Sequence, residues 1–304
     1  MSEAFDLLIR GGTVATPNGI APADVGVTAG RIAAIGALSG AKAAEVFEAR
    51  GLHVLPGVMD TQVHFREPGN EHKEDLATGS LAAILGGVTS VFEMPNTNPP
   101  TTTRAAIEDK IARATGRMHC DFAFYAGATP QNIGALAELE AMPGVCGIKA
   151  FLGSSTGTLL LNKEDDILAA LKAGRRRVAV HSEDEDRMIE RKPLAERGRP
   201  QTHPIWRDAE SARMCTERVL RLARAAGRRL HMLHITTGDE IPLLAAAKDI
   251  ATAETTPQHL TLSAPDCYER LGTYAQMNPP IRDESHRLAL WQAVREGGID
   301  VIGS

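Results

Sequence analysis

The chain is poor in cysteine, with only Cys120, Cys146, Cys215 and Cys267 in 304 residues and no CxxC pair among them. That scarcity argues against a disulfide framework and a cysteine zinc knot, and a reducing cytoplasmic setting is expected. The opening "MSEAFDLLIR" lacks the basic start and apolar core of a signal peptide. No apolar run approaches the ~18 residues of a membrane span. Basic residues are not in excess either: 33 Lys and Arg face 38 Asp and Glu, for a net charge of -5. The one basic cluster, Arg175 to Arg177, is too short to serve as a nucleic-acid stripe, so neither nucleic acid nor membrane is expected as a partner. No G-x-G-x-x-G follows the first strand of the α/β region, which removes the main support for a dinucleotide-binding fold.

What is present is an ordinary globular composition, 43% hydrophobic and 23% charged. In residues 1–55, "FDLLIRGGTVA", "ADVGVTAGRIAAIG" and "AEVFEARGLHVLPG" are short β-like runs punctuated by glycine. They predict a small β-sheet unit ending near Pro56 and Gly57. From residue 56 to 304 the pattern changes. Strand-like runs near 58–64, 88–94, 121–128, 145–152, 177–183, 228–236, 251–256 and 300–304 alternate with helix-compatible stretches such as "DLATGSLAAILGG", "TRAAIEDKIARAT" and "DAESARMCTERVLRLARAAG". Repeated βα units with buried strands predict a parallel sheet, and eight of them predict an α/β fold of the (β/α)8 TIM-barrel type. The chain ends after barrel strand eight, so the last helix of the ring is not expected in it.

Barrel enzymes place their chemistry at the C-terminal ends of the strands. The first strand ends "VMDTQVHFREPG", where alternation sets Val58, Asp60, Gln62 and His64 on one face. The fifth ends "VAVHSED", with His181 at its rim. In "LHMLHITTGDE", His231 and His234 have opposite parity, so only one is expected to point inward, and His234 lies nearer the C-terminal end. A single histidine at a strand end is commonly a hydrogen-bonded structural residue. Three on separate strands of one barrel converge on a single mouth, an arrangement that suits zinc and similar metals.

Lys149 lies within the apolar strand "GVCGIKAFLG". On spacing alone, it reads most simply as a lysine snorkelling past the rim with its amine in water. Confined instead, it would lose its proton easily, and a neutral amine can take up carbon dioxide as a carbamate, an anionic oxygen ligand. Arg66, two residues past His64, could hold a substrate carboxylate bidentately, or could form a loop salt bridge with Glu67 or Glu71. Asn96, in "MPNTNPP", could add an amide contact.

Taken together, "GRIAAIG", "LPGVMDTQVHFREPG", "MPNTNPP", "GIKAFLGSSTG", "VHSED", "LHITTGDE", "ETTPQHL" and "NPPIR" resemble the dihydroorotases of the amidohydrolase superfamily. The resemblance runs from about Gly11 to Ser304. It implies a (β/α)8 barrel beside a small β-sandwich to which residues 1–55 contribute. It further implies reversible hydrolysis of dihydroorotate to carbamoyl-aspartate in pyrimidine biosynthesis by a metal-bound hydroxide. By motif match, His64, Lys149, His181 and His234 would be metal ligands, with Lys149 carboxylated and catalytic. Arg66, Asn96 and Asn278 would bind the substrate and its carboxylate. One or two zinc ions, a homodimer and a possible partner enzyme of pyrimidine synthesis complete the expectation.

Two departures qualify it. Where the family has HxH, this chain has Gln62-Val63-His64, and an amide oxygen is a poorer zinc ligand than an imidazole. The family's strand-eight aspartate would come directly after Ser304. The position formed by His181, His234 and Lys149 is therefore expected to fill more readily than the one at His64 and the doubtful ligand Gln62. Two alternatives stand beside this reading: an allantoinase or hydantoinase, and a non-catalytic scaffold for a partner enzyme.

Overall fold

The computed structural model describes residues 5–304, which separate into two compact units with the break between Val58 and Met59. The first is a five-stranded sheet. Strand β1 (Phe5–Thr16) pairs antiparallel with β2 (Gly19–Thr28), and β2 with β3 (Arg31–Gly36). On its other side β1 takes β4 (Ala43–Glu48) and β5 (His53–Val54) in parallel.

The second unit carries eight parallel strands in sequence order: β6 (Val58–Val63), β7 (Val88–Glu93), β8 (Asp121–Gly127), β9 (Val145–Phe151), β10 (Val178–His181), β11 (Leu230–Met232), β12 (Ala251–Thr255) and β13 (Val301–Ile302). They form a nearly closed barrel, as the alternating pattern predicts. At its seam, the Ser304 amide donates to Asp60 Oδ1 at 3.3 Å, tying the end of β13 to β6.

Side-chain alternation settles what each strand offers the interior. Ile148, Ala150, Val178, Val180, Leu230, Met232, Ala251 and Ala253 pack outward in one core with Val219, Ala223 and Leu290 of the surrounding helices. Their neighbours Lys149, Ala179 and His231 lie in register across β9, β10 and β11 and so face inward. The outer layer follows from equally local rules. Helix Ala209–Ala226 starts where Asp208 accepts the Ser211 amide and stops at Gly227 in the left-handed conformation. Helix Leu76–Leu85 begins with a reciprocal cap between Asp75 and Thr78. No described helix is long and apolar enough to cross a membrane.

Two glycines bring strand-end loops together. Gly69, at φ +92°, sits so close to the Asn98 carbonyl that a Cβ would lie 2.0 Å from it. Gly153, just past β9, would place a Cβ 2.4 Å from the Glu183 carbonyl past β10. Any larger side chain would push these loops apart, and they are the loops that frame the mouth.

A candidate metal and substrate site at the barrel mouth

A cavity of about 630 Å³ opens at the C-terminal ends of the strands, and every residue singled out above for chemistry lines it: Gln62, His64, Arg66, Asn96, Lys149, His181, His234 and Asn278.

Gln62 and His64 face the cavity because Val63 and Phe65 turn the other way, into a core with Leu76, Val91 and Phe124. His181 is the last residue of β10 and fully buried. His234 lies two residues past β11, where strand alternation would aim it outward. Instead its backbone adopts φ +40°, a left-handed conformation uncommon for a non-glycine residue. That turn brings His234 Nε2 to 3.1 Å from His181 Nδ1. His231 also faces inward, with Nδ1 2.8 Å from Thr252 Oγ1 and Nε2 3.2 Å from Glu254 Oε2. The parity expectation that only one of the two histidines points inward is thus corrected: a local left-handed residue resets the alternation.

Lys149 corrects a second expectation. It does not snorkel to water but is 1% exposed, its ammonium 4.5 Å from the centre of the Phe151 ring. Among the described residues no carboxylate stands within ion-pair distance of it. Burial holds its pKa well below the usual lysine range, and only the Glu254 charge opposes the shift. The imidazoles share that tendency. Burial depresses the pKa of His64, His181 and His234, and Lys149 adds to each shift. The mouth favours neutral nitrogen donors, the form that binds a metal.

Among the described residues, no three His, Cys, Asp or Glu side chains form a ready-made metal cluster. The donor set still fits one. His181 and His234 present facing nitrogens, while Gln62 Oε1 and His234 Nδ1 are buried without a hydrogen-bond partner. What this set lacks is an anionic oxygen, which Lys149 could supply as a carbamate.

Behind the imidazoles lies a buried ion pair. Glu183 Oε2 is 2.9 Å from His181 Nε2, within ion-pair distance but off the line of a hydrogen bond. Its carboxylate receives Arg207 Nε at 3.1 Å and also Arg207 Nη2. Burial opposes the charge on Glu183, yet Arg207 and His181 hold its carboxyl well below the ordinary range.

The substrate side is polar and partly unsatisfied. Arg66 takes φ +58°, and its Nη1 is buried with no partner. Neither alternative salt bridge forms: Glu67 is held by Arg117 at 2.8 Å, and Glu71 accepts from the Gly69 amide at 2.9 Å. Burial lowers the Arg66 pKa, with Glu93 and Glu74 opposing at longer range. Asn96 donates to the Thr156 carbonyl at 3.1 Å and leaves its Oδ1 free. Asn278 Nδ2 stands 3.5 Å from Ser155 Oγ.

Sequence reasoning missed other lining residues, among them Ser155, Thr156, His203 and Gln258. Ser155, Thr156 and Gln258 lie within quoted motifs but had no role assigned. His203 follows no strand, and its ring nitrogen Nε2 meets the Met277 carbonyl at 2.9 Å, a contact with no sequence signature.

Residues 51–241 match the family described as dihydro-orotase-like. An allantoinase of Rubrobacter xylanophilus is 38% identical over 99% of this chain and 68% of its own length. One from Deinococcus radiodurans is 35% identical over 99% of this chain and 69% of its own length. Among solved structures, the L-hydantoinase (dihydropyrimidinase) of Arthrobacter aurescens superposes with a TM-score of 0.92 at 28% identity, over 99% of this chain and 69% of its own.

Proposed function

The chain belongs to the dihydro-orotase-like family and is a cyclic amidohydrolase by descent, and from that premise we propose that it opens a cyclic ureide of the allantoin or hydantoin type by metal-assisted hydrolysis. The observation that carries the reading is the convergence of two facing imidazoles and a buried lysine on one cavity rich in unsatisfied amide and guanidinium groups. The choice of ring rests on the allantoinase and hydantoinase relatives, and it replaces dihydroorotate as the first expectation.

In this reading His181 and His234 hold a divalent metal, with zinc the reference ion. Lys149, reacting as a neutral amine with carbon dioxide, forms an N–C bond and releases a proton, so that it offers a carbamate oxygen. His64 and Gln62 form a weaker second position, because an amide oxygen is a poor zinc donor. The metal, when bound, acidifies a water and polarises the ring carbonyl. The protein's own part is positioning. Asn96 and Asn278 offer amide groups to the ring, Arg66 offers a fork to an anionic group, and the walls limit water.

A specific observation keeps a second substrate in view. The partnerless Arg66 guanidinium suits a ring carboxylate, as in dihydroorotate. Turnover of allantoin, hydantoin and dihydroorotate by zinc-supplemented protein tests both readings. Preference for an uncharged ureide supports the first and preference for dihydroorotate the second. No turnover of any ring, with no metal taken up, would overturn the hydrolase reading in favour of a scaffold.

A further inference from the structure

The pair behind His181 has a geometry that the hydrolase reading alone does not require. Glu183 is wholly buried, and Arg207 is 4% exposed. A buried ion pair is weak evidence for stability, because desolvation offsets its attraction. Its position is more informative. One carboxylate oxygen faces His181 Nε2, on the side of the ring opposite the nitrogen that faces His234. The arginine that clamps this carboxylate also donates Nη2 to the Ser154 carbonyl at 2.8 Å. Two residues on, the Thr156 carbonyl holds Asn96 at the substrate end of the cavity. A third buried residue, Arg282, donates to the Arg207 backbone carbonyl and to Thr236 Oγ1 at 3.2 Å, which keeps the clamp in place.

We infer that Glu183 and Arg207 form a positioning pair that sets the tautomer of His181 and ties it to the loop at Ser154–Thr156. With the Glu183 carboxylate beside Nε2, that nitrogen carries the proton and Nδ1 keeps its lone pair toward His234. Which nitrogen of a ligating histidine binds metal is set by what the other nitrogen donates to. The His181 contact is close but not aligned, and the χ2 torsion that would turn the ring toward the carboxylate is a broad one in histidine. The inference rests on the proposed metal site for its consequence, but the tautomer itself does not depend on metal.

The test uses the 304-residue chain and zinc ion in competition with a chelator. Glu183→Gln is expected to weaken zinc binding about 10–100-fold, the usual cost of removing such an outer partner. Because that variant leaves Arg207 buried without its counter-charge, the neutral double variant E183Q/R207Q is measured beside it, with thermal unfolding as the check on folding. A purely structural pair would lower the unfolding temperature and leave zinc affinity unchanged, and unchanged affinity in the folded variants overturns the inference. If neither variant folds, the side-chain ¹⁵N resonances of His181 in the zinc-free wild-type chain decide it. Protonation at Nε2 is expected, and a proton on Nδ1 overturns it. A wild-type chain that binds no zinc removes the proposed metal site, and the tautomer still decides whether the pair positions His181.

Discussion

Replacing Arg66 by Met separates the two substrate readings, and the structure sets the size of the effect. Methionine keeps much of the stem's length and removes the fork. Arg66 makes no ion pair among the described residues, and Nη1 is buried and unsatisfied, so the wild-type protein bears a desolvation cost that the variant sheds. The unfolding temperature should therefore hold or rise slightly. Binding should respond quite differently. Losing one partner of a desolvated charge pair costs about 2–5 kcal/mol, much of it the penalty of leaving the other charge unpaired. Taking about 3 kcal/mol, affinity for a planar ring carboxylate such as orotate falls roughly 100-fold. An uncharged ring meets the fork through one carbonyl at most, so kcat/KM on hydantoin should fall by about tenfold or less. The assay is inhibition by orotate of hydantoin turnover, measured in wild-type and Arg66→Met protein on the same zinc loading. An orotate Ki that does not move would refute the assignment of Arg66 to an anionic group, as would equal losses on both rings.

Gln62→His restores an imidazole beside His64, and zinc per chain measured by elemental mass spectrometry should rise toward two equivalents; an unchanged metal content counts against the second position. Lys110 and Glu93 are a buried pair, each 1% exposed, so Lys110→Met should cost about 3–5 kcal/mol and lower the unfolding temperature by roughly 10 °C. The double change Glu93→Gln/Lys110→Met should recover most of that, and no recovery would mean the charge pairing is not the cause. His259 accepts from Thr256 Oγ1 at 2.7 Å and donates to the Pro279 carbonyl at 3.2 Å, and burial chiefly lowers its pKa to about 4. The unfolded chain then takes the proton first. Stability is complete above pH ~6.5 and is lost as pH falls toward 4, by about 2 kcal/mol at pH 5. The gap in unfolding temperature between wild type and His259→Gln should narrow from pH 7 to pH 5, and parallel curves would sink this account.

The barrel was legible because buried parallel strands are written as short apolar runs closed by glycine, proline or a polar residue at the rim. His181 could be placed for the same reason: it is the last residue of "VAVH", and the register of β10 fixes which way it points. Other features were not written locally. Lys149 looks like a snorkelling lysine in its own strand. What buries it is the closure of the other strands and the Phe151 ring, and no window of sequence records that. That both His231 and His234 face inward escaped because alternation is a rule for strands, and β11 ends at Met232. One left-handed residue past that end reverses the direction a period-2 reading assigns.

The same limit explains why the reaction class was legible in the sequence while the ring to be hydrolysed was not. Of the candidate metal ligands, His64, Lys149 and His181 lie in or directly after a strand, where position in the strand determines direction. The rest of the cavity wall includes Thr156 in a loop and His203 and Gln258 in short helices, residues that follow no strand period. The Asn96 amide reaches Thr156 across 60 positions, and the His203 ring reaches Met277 across 74. A lone arginine after "HF" weighed heavily in a sequence where these partners could not be seen. Its free guanidinium in the folded mouth keeps the anionic substrate open to test, while the relatives favour the uncharged ring. The direction of the strand-end residues is thus read by periodicity, and the approach of the rest of the cavity wall only by folding.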